Sequence, residues 1–111
     1  MGRDSEIEEL RGFVLGINVR LRILKGNDKD KKIKNLIKDI AGLKTWINSA
    51  FGKEVLEKKQ KTMMHATDVA VAALSSHPVN FSILRDTQKV FSQIEVALAQ
   101  SLIALRTKKV A

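Results

Sequence analysis

The chain contains no cysteine, one proline and six glycines in 111 residues. Without cysteine there is no disulfide, no thiolate metal site and no thiol nucleophile, and the redox compartment stays open. So little proline and glycine argues against a turn-rich all-β chain and against a disordered, low-complexity one. Aromatics are scarce as well: one Trp, four Phe and no Tyr. That is too few for a platform on which single-stranded nucleic acid could stack. No apolar run approaches the ~20 residues that span a bilayer, and the longest near-apolar stretch, GFVLGINV, is far shorter. The opening MGRDSEIEEL is acidic and has no apolar signal region. Secretion is therefore not expected, and the expected location is intracellular, in the cytoplasm. Acylation of Gly2 is not expected either, because Glu6 fills the place where that pattern wants Ser or Thr.

Catalytic groups are equally thin. His65 and His77 are the only histidines, and the acids are scattered. They form neither a metal set nor a nucleophile–base pair of recognisable spacing. His77, just before Pro78, reads as a turn or cap residue, and His65 as solvated. With no strand for a glycine-rich phosphate loop to follow, no cofactor, metal or small-molecule substrate is expected. The reading is of a protein that is not an enzyme.

What the chain does hold is heptad spacing. Ile7, Leu10, Val14, Ile17, Leu21 and Leu24 form one series, and Ile33, Leu36, Ile40, Leu43, Ile47 and Ala50 a second. A third places Leu84, Phe91, Leu98 and Leu105 seven residues apart, with Ile94 between. Steps of three and four keep side chains on one stripe of a helix, which a strand cannot do. The expected fold is all-α, an antiparallel up-down-up-down four-helix bundle in one domain over 1–111, packed in coiled-coil fashion. Helices are predicted at about 5–25, 31–51, 53–74 and 80–108.

Local signals set those bounds. Ser5 and Glu8 make a capping box ahead of helix one, and Lys25-Gly26 makes its stop. Asn27, Asp28 or Asp30 can cap helix two, and Gly52 is its predicted end, unless helices two and three are one bent helix. Ser75, Ser76 and His77 close helix three ahead of Pro78, which disfavours helix in the residue before it. Ala66, Ala70, Ala72 and Ala73 let helix three pack closely, with Met63 and Met64 filling gaps. Connections of about two to five residues make neighbouring helices antiparallel.

Helix one carries a second apolar face. At about 100° per residue, Gly12, Leu15, Gly16, Val19 and Ile23 gather on the side away from the heptad seam. A helix apolar on two faces is either central or shared with another chain. The Gly12-x-x-x-Gly16 spacing would let a second backbone approach closely. The competing explanation is that the glycines make room for a large neighbour such as Phe81 or Trp46 within one chain. Self-association through this face, as a homodimer or with another protein partner, is the leading functional expectation. Trp46 lies about a quarter turn off its stripe, either as the edge of the core or as a partner contact.

The formal charge is +8, and it is unevenly spread. Between Arg11 and Lys61 there are fourteen bases against five acids, whereas residues 1–10 hold one base and four acids. The densest run is Lys29, Lys31, Lys32, Lys34 and Lys38, with Lys31, Lys34 and Lys38 opposite the core stripe of helix two. Such a field attracts polyanions. The alternative function is therefore non-specific binding of duplex nucleic acid through Lys31, Lys32, Lys34 and Lys38, with an anionic membrane surface the lesser option. Fourteen of the twenty bases are Lys and six are Arg. A chain so poor in guanidinium forks favours non-specific over sequence-specific contact.

Overall fold

A computed structural model describes residues 3–25 and 30–110, with side chains from 4–25 and 30–105. Five helices follow in order: α1 (Arg3–Ile23), α2 (Asp30–Ile47), α3 (Ala50–Leu56), α4 (Lys59–Ser75) and α5 (Phe81–Val110). No strand occurs among the described residues. The heptad residues do the packing. Ile7, Leu10, Val14, Ile17, Leu21 and Leu24 of the first helix are buried, as are Leu36, Ile40, Leu43 and Ile47 of the second. Leu84, Phe91, Ile94, Leu98 and Leu102 of α5 join them in one core. Ile33 and Leu105 are only half-buried, at the two ends of that core, and Ala50 is exposed at the start of α3.

α1 packs along α5, α5 along α4, and α4 along α2, with a smaller contact between α2 and α1. The arrangement is compact but long, 52 × 22 × 22 Å. Arg11 reaches Glu95 at 2.9 Å and Asn18 reaches Ser92 at 2.9 Å. Position rises along α1 as it falls along α5, so the two helices run antiparallel. The α4 surface is built from small residues, with Ala66, Ala70 and Ala73 buried beside Met63 and Leu74. Ala72 is exposed and Met64 half-buried. Two buried hydroxyls are satisfied within their own helices, Thr67 donating to the Met64 carbonyl and Thr87 to that of Leu84. A buried hydroxyl left without a partner would cost about 1–3 kcal/mol.

The helix limits depart from expectation in three places. α1 is already helical at Arg3, so Ser5 sits inside the first turn rather than at a cap; Asp4 and Glu6 there complement the positive helix end. It ends at Ile23, and the predicted stop at Gly26 and the caps at Asn27 and Asp28 lie outside the described residues. α2 starts at Asp30 and ends at Ile47, not near Phe51. Ser49 interrupts it: its hydroxyl accepts from the Gly52 N–H at 3.2 Å and donates to the Trp46 carbonyl, capping a new helix. The predicted helix over 53–74 is in fact two helices. Glu57 breaks it with a φ of 52°, in a region that favours glycine.

Gly52 is therefore not a helix stop. It lies in the first turn of α3, where an added Cβ would meet the Ile47 carbonyl oxygen at 2.1 Å. Only a residue without a side chain lets α3 fold back so tightly on the end of α2. The same carbonyl accepts from Gln60 Nε2 at 2.7 Å, which ties the end of α2 to α4. At the far end, Asn80 caps α5, its side chain accepting from the Ile83 N–H at 3.2 Å.

Candidate functional site: the outer face of α1 and its groove with α5

The core stripe of α1 is flanked by α2 on one side and α5 on the other. On the α2 flank, Arg20 pairs with Asp39 and Phe13 touches Trp46. On the α5 flank lie the Arg11–Glu95 pair and the Asn18–Ser92 hydrogen bond. Between the two flanks, opposite the core, the helix turns Gly12, Leu15, Gly16, Val19 and Ile23 outward. All five are exposed, with Leu15 at 45% and Ile23 at 54% of their full accessible surface.

The glycines meet nothing. A Cβ built on Gly12 or on Gly16 finds no atom within 4 Å. Neither Phe81 nor Trp46 fills the space above them, so crowding within one chain does not account for these residues. A glycine inside a helix costs about 0.5–1 kcal/mol relative to alanine. Two of them, one turn apart, sit where the isolated chain gains nothing from them.

The α5 flank opens into a groove of about 680 Å³ whose lining includes Leu15, Asn18, Val19, Arg22, Arg85 and Lys89, and no acid. Asn18 spans it, donating from Nδ2 to Ser92, while its buried Oδ1 has no hydrogen-bond partner among the described residues. Val96, 51% exposed, lies outside this groove, in a shallower one on α5 that Lys59 of α4 also lines. Sequence reasoning named the α1 residues but not Arg85 or Lys89. Those two reach the site only because α5 packs beside α1, a long-range fact with no local signal.

Trp46 is not on this face. It is half-buried on α2, with its ring edge-on to Phe13, as a residue closing the margin of a core would be. The lysine stripe forms a separate surface. Lys31, Lys32, Lys34 and Lys38 are all exposed on α2. Lys31, Lys34 and Lys38 project opposite the buried stripe and have no ion-pair partner among the described residues. Lys44, by contrast, pairs with Asp68 at 2.7 Å. Lys29 and the side chains of Arg106, Lys108 and Lys109 lie outside the described set.

His65 and His77 are exposed. Among the described residues no three His, Cys, Asp or Glu side chains converge as a metal set, and no helix is long and apolar enough to cross a membrane. No protein-family model matches the chain, and comparison with curated proteins and with solved structures gives no match.

Proposed function

We propose that this chain is a non-catalytic interaction module that associates with itself through the outer face of α1. In this reading the four long helices form an up-down-up-down bundle, with α3 folded into the connection between α2 and α4. The observation that carries the reading is the pairing of exposed Leu15, Val19 and Ile23 with Gly12 and Gly16, above which there is only open space. Large apolar side chains beside a backbone without side chains form a ridge and a seat for another helix. Burying such a side chain against a partner contributes roughly 1.5–3 kcal/mol.

Sedimentation equilibrium across micromolar concentrations is the test. The expected result is a concentration-dependent dimer that becomes monomeric on replacing Leu15 and Val19 by Glu, with helical circular dichroism unchanged. A wild-type chain that stays monomeric at high micromolar concentration overturns the reading. Unfolding of the double variant would instead assign those residues to the chain's own core.

A second reading is favoured by Lys31, Lys34 and Lys38 on the outer face of α2, which have no ion-pair partner among the described residues: non-specific binding of duplex nucleic acid by its phosphates. Such binding weakens steeply between about 50 and 200 mM salt. Duplex RNA, duplex DNA and anionic vesicles compared at both concentrations separate nucleic acid from lipid. Exchange of the three lysines for Glu should abolish duplex binding and leave the helices intact.

A further inference from the structure

The groove between α1 and α5 changes character along its length. The two helices run antiparallel, so each later turn of α1 meets an earlier turn of α5. Beyond one end Arg11 has Glu95 at 2.9 Å, and the chain neutralises its own charge. Leu15 and Val19 then make the α1 wall apolar. At the other end come Arg22 from α1 and Arg85 and Lys89 from α5, with no acid in the lining.

None of these three bases has an ion-pair partner among the described residues. Asp86, the acid next to Arg85 in sequence, is exposed but does not line the groove. Arg11, Arg20 and Lys44, by contrast, are each held by an acid of the same chain. Arg85 and Lys89 stand four residues apart on α5, so they share a face and repel each other. A cleft lined by one sign of charge focuses its field on whatever approaches it. The groove therefore favours an occupant that is anionic at one end and apolar beside it.

The lining separates the candidates that carry negative charge. Phosphates gain nothing from Leu15 and Val19, and no aromatic side chain lines the groove for a base to stack on. An anionic membrane presents a broad surface, whereas this is a cleft of about 680 Å³ between two helices. An acidic protein segment suits both parts of the lining. No strand occurs among the described residues, so an extended peptide has no sheet edge with which to pair its backbone. A helix satisfies its own backbone and can lay one apolar face into a groove.

We propose that the groove between α1 and α5 is the docking site for an acidic amphipathic helix of a different protein. Its apolar face lies on Leu15 and Val19, and its carboxylates pair with Arg22, Arg85 and Lys89. The guanidinium forks of Arg22 and Arg85 suit two-pronged contact with carboxylates. This goes beyond self-association and does not rest on it. Leu15 and Val19 belong to both surfaces, so a bound helix and a second copy exclude each other.

The test uses a synthetic helix as its probe. A fluorescein-labelled peptide of about 20 residues is long enough to be helical by itself, and it carries a leucine stripe flanked by glutamates. Fluorescence anisotropy is read as the full chain is titrated in, at concentrations where sedimentation finds the chain monomeric. The expected result is saturable micromolar binding of one peptide per chain. Peptides with Lys in place of Glu, or Ser in place of Leu, should bind about tenfold more weakly or worse. Absence of saturable binding overturns the proposal. So does a Ser peptide that binds as well as the Leu peptide, since general attraction to a +8 chain would then suffice.

Variants place the contact. Arg85→Glu with Lys89→Glu should weaken binding about tenfold or more and turn the preference towards the Lys peptide. Lys31→Glu, Lys34→Glu and Lys38→Glu together remove more charge, but from another face, and should leave binding within about twofold. A larger loss in the triple variant than in the groove variant overturns the proposal, with circular dichroism confirming the helices in both. Duplex DNA that displaces the peptide, and itself fails to bind the groove variant, would assign the groove to nucleic acid instead. Self-association that disappears in the groove variant would assign it to a second copy. Sedimentation of the wild-type chain alone decides self-association separately, and a monomer there leaves this docking site standing.

Discussion

Phe13 and Trp46 meet edge to face, with ring centroids 6.1 Å apart and planes inclined at 61°. The pair joins α1 to α2, whose contact is smaller than those of α1 with α5, α5 with α4 and α4 with α2. Aromatic pairs in this geometry contribute about 0.5–1.5 kcal/mol beyond the area they bury. A double-mutant cycle of Phe13→Leu and Trp46→Leu in urea should return a coupling energy of that size. A coupling near zero would reduce the contact to simple burial. Trp46 is the sole tryptophan, so wild type and Phe13→Leu can be followed by its fluorescence, and the Trp46 variants by circular dichroism.

Leu36 and Leu98 are buried to 1% and 0% exposure on α2 and α5. Truncation of either to Ala should cost roughly 2–5 kcal/mol, the transfer term plus the cavity left behind. Chemical denaturation monitored at 222 nm gives the measurement. A loss below about 1 kcal/mol at both sites would mean that the core lies elsewhere.

Gly52→Ala should destabilise the chain by about 1–3 kcal/mol, an overpacking cost. The new Cβ would strike backbone atoms of Ile47, which cannot swing aside as a side chain tip could. Gly12→Ala and Gly16→Ala face open space, so each should raise monomer stability by about 0.5–1 kcal/mol through helix propensity. The opposite signs at glycines within helices of one chain are the check, read from denaturation midpoints at low protein concentration.

Glu57 adopts a φ of 52° and ψ of −119° at the end of α3. A residue with a Cβ is strained there, and glycine is not. Glu57→Gly should therefore stabilise the protein by about 1 kcal/mol, against the usual direction of a substitution to glycine. Destabilisation of similar size would indicate that the glutamate side chain matters more than its backbone.

The buried stripes of α1, α2 and α5 were legible because leucine, isoleucine and valine repeat with a helical period and little else interrupts them. The α4 core was less so. Its buried face is mostly alanine, which reads the same on a buried or an exposed surface, as exposed Ala72 beside buried Ala73 shows. The break into α3 was missed because Gly52 looked like a terminator. Its role depends on Ser49 and on the Ile47 carbonyl, a three-dimensional closeness that residue type does not announce. The outer face of α1 was visible as a pattern, and its glycines were informative because the structure removed the neighbours that might have explained them. Arg85 and Lys89 belonged to that surface only once α5 was placed beside α1.

The first and last helices of the chain are neighbours, and Arg11 and Glu95, which touch, are 84 residues apart in sequence. A ribosome adding ~5–20 residues per second takes roughly 4–17 s between the two. For most of that interval, once Leu24 has been added, the stripe from Ile7 to Leu24 exists while its main packing surface does not. The nascent chain must hold six apolar side chains without their cover. It is then exposed to premature pairing with another nascent chain, or to capture by a chaperone, until α5 emerges.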